Sequence, residues 1–190
     1  MHDIGAEVER ALVEHFAQLA QRATVSFLGV EPIDIVRFEP IPDEIAYVSV
    51  GMSRRPMTPA DESAVASDGP RAELMLHVRA VTARSDEVWR KLAILAAAPA
   101  VEGVVYRPGM TVDLGEPFAP GSRCTGVVIA QSPLADVVTS EGPVQVLQAL
   151  PATSTELAWA RVHGTPLLRE RWLTDGCDLL DLTRTAVRLD

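Results

Sequence analysis

Residues 45–50, Ile45-Ala46-Tyr47-Val48-Ser49-Val50, are apolar at every position but Ser49. Successive side chains of a strand point to opposite faces. A strand with this pattern is therefore covered on both sides, at the centre of a sheet. Any fold for this chain must supply material to each face of that strand. A second strand, 71–78, alternates instead. Ala72, Leu74, Leu76 and Val78 point one way, and Arg71, Glu73, Met75 and His77 the other. The charged side reads as partly wet or ion-paired, with Arg71 and Glu73 placed as same-face neighbours that can pair with each other.

Further strands are predicted at 33–38, 104–106, 111–114, 125–130, 144–150 and 179–184. Helices supply the covering layers. Asp3 can cap a first helix whose stripe is Val8, Leu12, Phe16 and Leu19. Ser85 caps a second over 85–98, which Pro99 ends. Thr153 or Ser154 caps a third, carrying Glu156, Leu157, Trp159 and Val162 and stopped by Gly164. Thr165-Pro166 opens a fourth, with proline at the first helical position, and Leu167, Leu168, Trp172 and Leu173 on its inner side. The pattern predicts one α+β domain over residues 1–190.

Between the two diagnostic strands lies a polar stretch, 51–70, with little periodicity. Loops of this length in compact domains are often functional. Gly51-Met52-Ser53 resembles the start of a nucleophile elbow, but Arg55 stands where the second glycine is needed. Asp68 and His77 follow Ser53 in chain order, a triple that arises by chance in many chains. The histidines, His2, His15, His77 and His163, are scattered, with no pair at ligand spacing, and Asp61-Glu62 reads as a solvated acidic pair rather than a metal site. No phosphate-binding glycine loop is present. No catalytic residue, metal or cofactor is expected.

The formal net charge of -9 opposes general nucleic-acid binding, which needs a basic surface. It serves solubility, or steers a basic partner. The longest apolar run, 92–101, is interrupted by Pro99 and too short to span a bilayer. Cys124 and Cys177 are far apart in sequence and read as free thiols of a reducing cytosol, with a single disulfide as the alternative. Lys91 is the only lysine, an arginine skew expected of a GC-rich, bacterial genome.

Several stretches together resemble the suppressor-of-fused domain family. They are Val48-Ser49-Val50-Gly51-Met52-Ser53, Arg55-Pro56-Met57, and Asp68-Gly69-Pro70-Arg71-Ala72-Glu73-Leu74. In the same order follow the Trp89 helix with Leu92 and Leu95, Pro143-Val144-Gln145-Val146-Leu147-Gln148, Ser154-Thr155-Glu156-Leu157, and Leu179-Leu180-Asp181-Leu182-Thr183-Arg184. The resemblance implies a mixed, mostly antiparallel sheet with helices packed on it, and binding without catalysis. Animal members hold a transcription-factor peptide as an added strand between two lobes. Bacterial members look like immunity proteins that neutralise polymorphic toxins. An aspartate of the animal loop contributes to the peptide site, and Asp68 matches it; the aromatic residues of that loop have no match in 51–70.

The expected partner is thus another protein, a toxin or an extended peptide, met in the cytoplasm. Arg54, Arg55, Met57, Asp61, Glu62 and Asp68 are the expected contacts: the charged groups through charge-assisted hydrogen bonds, Met57 as an adaptable apolar group. The alternative for Arg54 and Arg55 is pairing with Asp61 and Glu62 within the loop. Gly51 serves backbone geometry.

Overall fold

A computed structural model describes residues 3–60, 69–83 and 86–190. One sheet holds the strands in the order β1-β2-β3-β4-β8-β6-β5, with β7 paired to β8. Strands β1 (Gln21–Val25), β2 (Ile33–Phe38), β3 (Glu44–Val50) and β4 (Arg71–Arg79) form an antiparallel meander. β8 (Gly142–Thr153) lies parallel to β4, Arg71 opposite Val144 and Met75 opposite Gln148. On its other side it pairs antiparallel with β6 (Cys124–Gln131), which carries β5 (Thr111–Asp113) at the far edge. β7 (Val137–Thr139) closes a tight hairpin with the start of β8.

The centre is as buried as β3 requires: all of its residues are enclosed. On one face, Ile45, Tyr47, Leu74, Leu76, Val127 and Ile129 pack with Val88, Leu92, Leu95 and Ala96 of helix α2 (Glu87–Glu102). On the other, Val36, Val48, Val50, Met75 and Val146 meet Ile4, Val8 and Leu12 of α1 (Ile4–Phe16). Beside α1, on that same face, Val128, Ala130, Leu150 and Ala152 receive α3 (Ser154–His163) and α4 (Thr165–Thr174) through Leu157, Ala160, Leu168 and Trp172. Fully burying such side chains stabilises by about 1.5–3 kcal/mol each, before chain entropy is subtracted.

Two of the predicted caps hold; Ser85 lies outside the described residues, and Thr165 is corrected, since Gly164 precedes α4 and the Thr165 hydroxyl donates to Gly109 O. Asp3 Oδ1 accepts from the Gly5 N–H at 3.0 Å, and Thr153 with Glu156 forms a reciprocal capping box. Several expectations are corrected. Pro99 does not end α2, which continues to Glu102. Proline removes one bond, to the carbonyl four residues back. That carbonyl, Leu95 O, accepts from the buried Tyr106 hydroxyl at 2.7 Å instead. The 104–106 segment that delivers this hydroxyl is not a strand. Nor is 179–184, because Asp178 and Asp181 turn the chain by accepting from the Leu180 and Thr183 N–H groups. Leu19 lies beyond the end of α1, and Leu173 faces solvent, as does Val162. β1 and β7 were not foreseen. Both cysteines are free, and burial pushes the Cys124 thiol up to about 12.

Gly126 marks the tightest approach in the sheet. A Cβ there would stand 2.1 Å from Val112 O and 2.8 Å from Leu157 Cδ1. Gly126→Ala is expected to destabilise the protein by about 3 kcal/mol through overpacking between β5 and α3. Urea unfolding checks this; a loss under about 0.5 kcal/mol would show that β5 yields freely.

Candidate functional site

The strand-to-loop junction after β3 is built on one carboxylate. The β3–β4 ladder ends at Val48 opposite Met75. Beyond that pair Glu73, 0% exposed, replaces the missing ladder bonds with its side chain. Oε1 accepts from the Gly51 N–H (2.9 Å), the Ser53 N–H (3.0 Å) and the Ser53 hydroxyl (2.6 Å). Oε2 accepts from the Ser49 hydroxyl at 2.5 Å, whose oxygen in turn accepts from the Leu74 N–H. The expected Arg71–Glu73 pairing is therefore corrected. Burial raises the Glu73 pKa above its ordinary value, against the opposing pull of these hydroxyls and N–H groups.

The network fixes a short 3₁₀ turn, Met52–Arg54. Arg71 clamps it from the next strand, with Nη1 donating to Ser53 O and Arg54 O, each at 2.8 Å, and Nη2 to Glu141 at 2.5 Å. The two stems of the 51–70 stretch are also tied. The Met57 N–H donates to Pro70 O at 2.9 Å. Gly103, in the left-handed conformation that closes α2, leaves no room for a Cβ: one would meet Ala60 N at 2.5 Å. Residue type is thus constrained on both sides of the stretch, at Gly103 and at Glu73, by where the loop must start.

Around this rigid base opens a crevice of about 540 Å³, lined by Glu31, Arg54, Arg55, Thr58, Arg71 and Pro99 among others. Its described lining carries Arg54, Arg55 and Arg71 against Glu31, with Arg71 also paired to Glu141 just outside, so cations outnumber acids in the lining of a chain of net charge -9. Arg54 Nη1 donates to Pro32 O at 2.5 Å, which orients it. The Arg55 side chain is 72% exposed and reaches Glu31 at 3.3 Å. An exposed pair of this kind contributes little to stability, so Arg55 is available to another molecule at small cost.

Of the expected contact residues, the structure brings Arg54 and Arg55 to this crevice. Met57 is corrected: at 2% exposure it belongs to the same core as Met52 and Leu95, so it anchors the stem and presents no surface. Asp61, Glu62 and Asp68 lie outside the described residues. Ser53 is 0% exposed and bonded to Glu73. His77, on β4, has its Nε2 2.9 Å from Glu44. The Ser53–His77 element of a hydrolase triple is not assembled. Among the described residues, no group of three His, Cys, Asp or Glu could hold a metal, and no helix is long and apolar enough to cross a membrane.

Two features escaped the sequence reading. Glu73 looked like one more polar residue of an alternating strand; Ser49, the lone polar interruption of β3, is the signal that could have found its partner. The second is a buried ion pair, Glu156–Arg184, at 2.7 Å. Its members are separated by most of α3 and all of α4, and no spacing rule connects them.

No curated protein matches the sequence. Among solved structures, the fold is similar to a protein described as a SUFU (suppressor of fused protein) homolog from Neisseria gonorrhoeae FA 1090. The TM-score is 0.69 at 18% identity, covering 96% of this chain and 95% of that one. It is also similar to a chain of the Sufu–Fu complex (TM-score 0.63, 17% identity, 93% and 90% covered). Drosophila Suppressor of Fused gives a TM-score of 0.64 at 17% identity; 96% of this chain matches 50% of that protein. The family model described as suppressor of fused protein (SUFU) matches residues 29–185. With that span covering β2 through the Arg184 pair, the chain belongs to the suppressor of fused protein family.

Proposed function

We propose that residues 1–190 form one non-catalytic protein-binding domain, and that it is a cytoplasmic immunity protein neutralising a toxin by occupying it. The observation that carries the reading is the arginine-lined crevice on a rigid base, with Arg55 displayed at its rim. Its geometry is preorganised by Glu73, Arg71 and Gly103, so little ordering cost falls on binding. The one hydroxyl–carboxylate couple beside it among the described residues, Ser53 with Glu73, is sealed from solvent. That arrangement supports a structural role over catalysis. Arg54 and Arg55 are the proposed contacts within the described residues; Asp61, Glu62 and Asp68 join them on their sequence positions alone. The acidic whole would steer a basic partner while the crevice grips one of its carboxylates.

The test is a search for a toxin gene beside this one, followed by co-expression of the two. Rescue of growth is expected, together with a complex that survives purification. Arg55→Glu should weaken that complex at least about tenfold, through lost and reversed charge contacts, and leave the melting temperature unchanged. Full affinity in this variant would remove the crevice from the interface.

A second reading is a regulatory adaptor that takes an extended peptide by strand addition. One similar fold was solved as the Sufu–Fu complex, which favours it. A complex with a non-toxic polypeptide, and no rescue of growth, would support this reading.

A further inference from the structure

The sheet ends in two very different edges. β5 has three residues, and its Asp113 is held by Arg161 of α3 at 3.4 Å. β1 has five, Gln21-Arg22-Ala23-Thr24-Val25, without the proline, lysine or bulge that usually blunts an edge. Its one cation is already neutralised, since Arg22 is paired with Glu9 and Asp34. The two most exposed large apolar side chains of the described residues flank this strand: Leu19 at 90% and Leu28 at 104%.

The direction of the free backbone groups follows from the register. In an antiparallel ladder each residue directs both its N–H and its C=O to the same side, alternating along the strand. The Ala80 N–H bonds Asp43 O, whereas the Arg79 N–H turns away to Leu180 O. Even positions of β4 thus face β3. Carried through the pairs Ala46–His77, Val36–Val48 and Ala23–Ile35, none of which is interrupted by a bulge, the alternation gives Gln21, Ala23 and Val25 to β2. Arg22 and Thr24 are left with N–H and C=O directed to the open edge.

We propose that this edge pairs with a second copy of the same chain, antiparallel about a two-fold axis at Ala23. In that register Arg22 of one copy meets Thr24 of its partner, and each outward N–H and C=O finds its complement. The same rotation brings the Leu19 end of one strand to the Leu28 end of the other. Both exposed leucines are covered in one step. A foreign strand would have to carry matching apolar groups at both ends, whereas a second copy carries them already. The contact is isologous and self-limiting, because the β5 edges stay guarded. Its Leu28 end adjoins the crevice wall that begins at Gly29, whereas Leu19, Arg22 and Thr24 lie outside that lining. Self-association is measured with no toxin present, so its failure and that of the toxin reading are told apart.

Sedimentation equilibrium of the intact chain tests this. Twice the 20.5 kDa chain mass is expected. Thr24→Pro deletes an outward N–H without removing a bond to β2 and is expected to raise the dissociation constant at least about tenfold. Leu19→Lys with Leu28→Lys, on wholly exposed positions, should do the same without touching the backbone. Hydrogen exchange at Arg22 and Thr24, and not at Ala23, should slow as concentration rises. A chain that stays at 20.5 kDa up to about 1 mM overturns the proposal. So does a dimer that both variants leave intact, or a β1 edge occupied only when a different polypeptide is added.

Discussion

Arg184→Met is expected to destabilise the protein by about 3–5 kcal/mol, the usual consequence of stranding a buried charge. Glu156 is wholly buried. Its carboxylate accepts from Arg184 Nη1 (2.7 Å) and Nη2 (2.9 Å), Trp172 Nε1 (3.0 Å), the Thr153 N–H (2.9 Å) and the Val187 N–H (3.1 Å). It joins α3, α4 and the C-terminal segment at a single point. Burial pushes the Glu156 pKa up, but the Arg184 hydrogen bonds and charge, with the Thr153 N–H and Trp172, outweigh it and hold the group below its ordinary value. The sign follows from linkage. The unfolded chain takes up this proton at higher pH than the native one, so the stabilisation is present above the ordinary carboxyl pKa. It is lost as pH falls through the folded value. In Arg184→Met the guanidinium is gone and burial dominates, so that slope should flatten or reverse. Urea unfolding at neutral and mildly acidic pH measures both effects. A loss below about 1 kcal/mol would mean that water reaches Glu156 and the pair is dispensable.

Glu73→Ala should be comparable, about 4 kcal/mol, since it strands two N–H groups and two hydroxyls inside the protein at about 1–3 kcal/mol for each group left unsatisfied, less whatever the site relaxes. Its pH signature is opposite to that of Glu156. Native Glu73 keeps its proton to higher pH than the unfolded chain does. Its stabilisation is therefore full below the ordinary carboxyl pKa and is eroded as pH rises through the raised folded value. Glu73→Gln keeps an acceptor and removes the titration. It should cost no more than about 1.5 kcal/mol and flatten the profile above the ordinary carboxyl pKa. A Glu73→Ala protein of wild-type stability, or a Gln variant that keeps the slope, would show that the carboxylate does not organise the turn.

The sequence made the layers legible because periodicity reports burial directly. The apolar run 45–50 of β3, interrupted only at Ser49, required covering on both faces, and α1 and α2 provide it. Caps were legible for a similar reason: Asp3 and Thr153 act on N–H groups two or three residues away, so their chemistry is local. Where reading failed, a distant partner decided the outcome. Pro99 looks terminal until Tyr106 supplies the lost hydrogen bond. Residues 179–184 have strand-like leucines, but two aspartates bend them. Leu173 and Val162 sit at helical spacing on faces that nothing covers. At the candidate site, Arg54 and Arg55 were found as polar loop residues, whereas Met57 was misread because its apolar character served the core. Glu73 was hidden by an alternation that normally means solvent.

The parallel seam between β4 and β8 bears on how this chain reaches its native state. The segments on either side of it, β1–β4 and β5–β8, are built from neighbouring antiparallel strands, and even their longest return, 51–70, is far shorter than the loop that the seam closes. The seam itself joins Arg71 to Val144, so the whole of α2 and β5–β7 must be looped out before it gives any return. Loop entropy grows slowly with length, but it must be met in full at that moment. The two halves of the sheet are thus expected to form first as separate, incompletely buried units, with their union as the slow step. Until that union, the apolar edge residues of β4 and β8 are open to the wrong neighbour, and quick synthesis at high concentration is when this chain is most exposed to clumping.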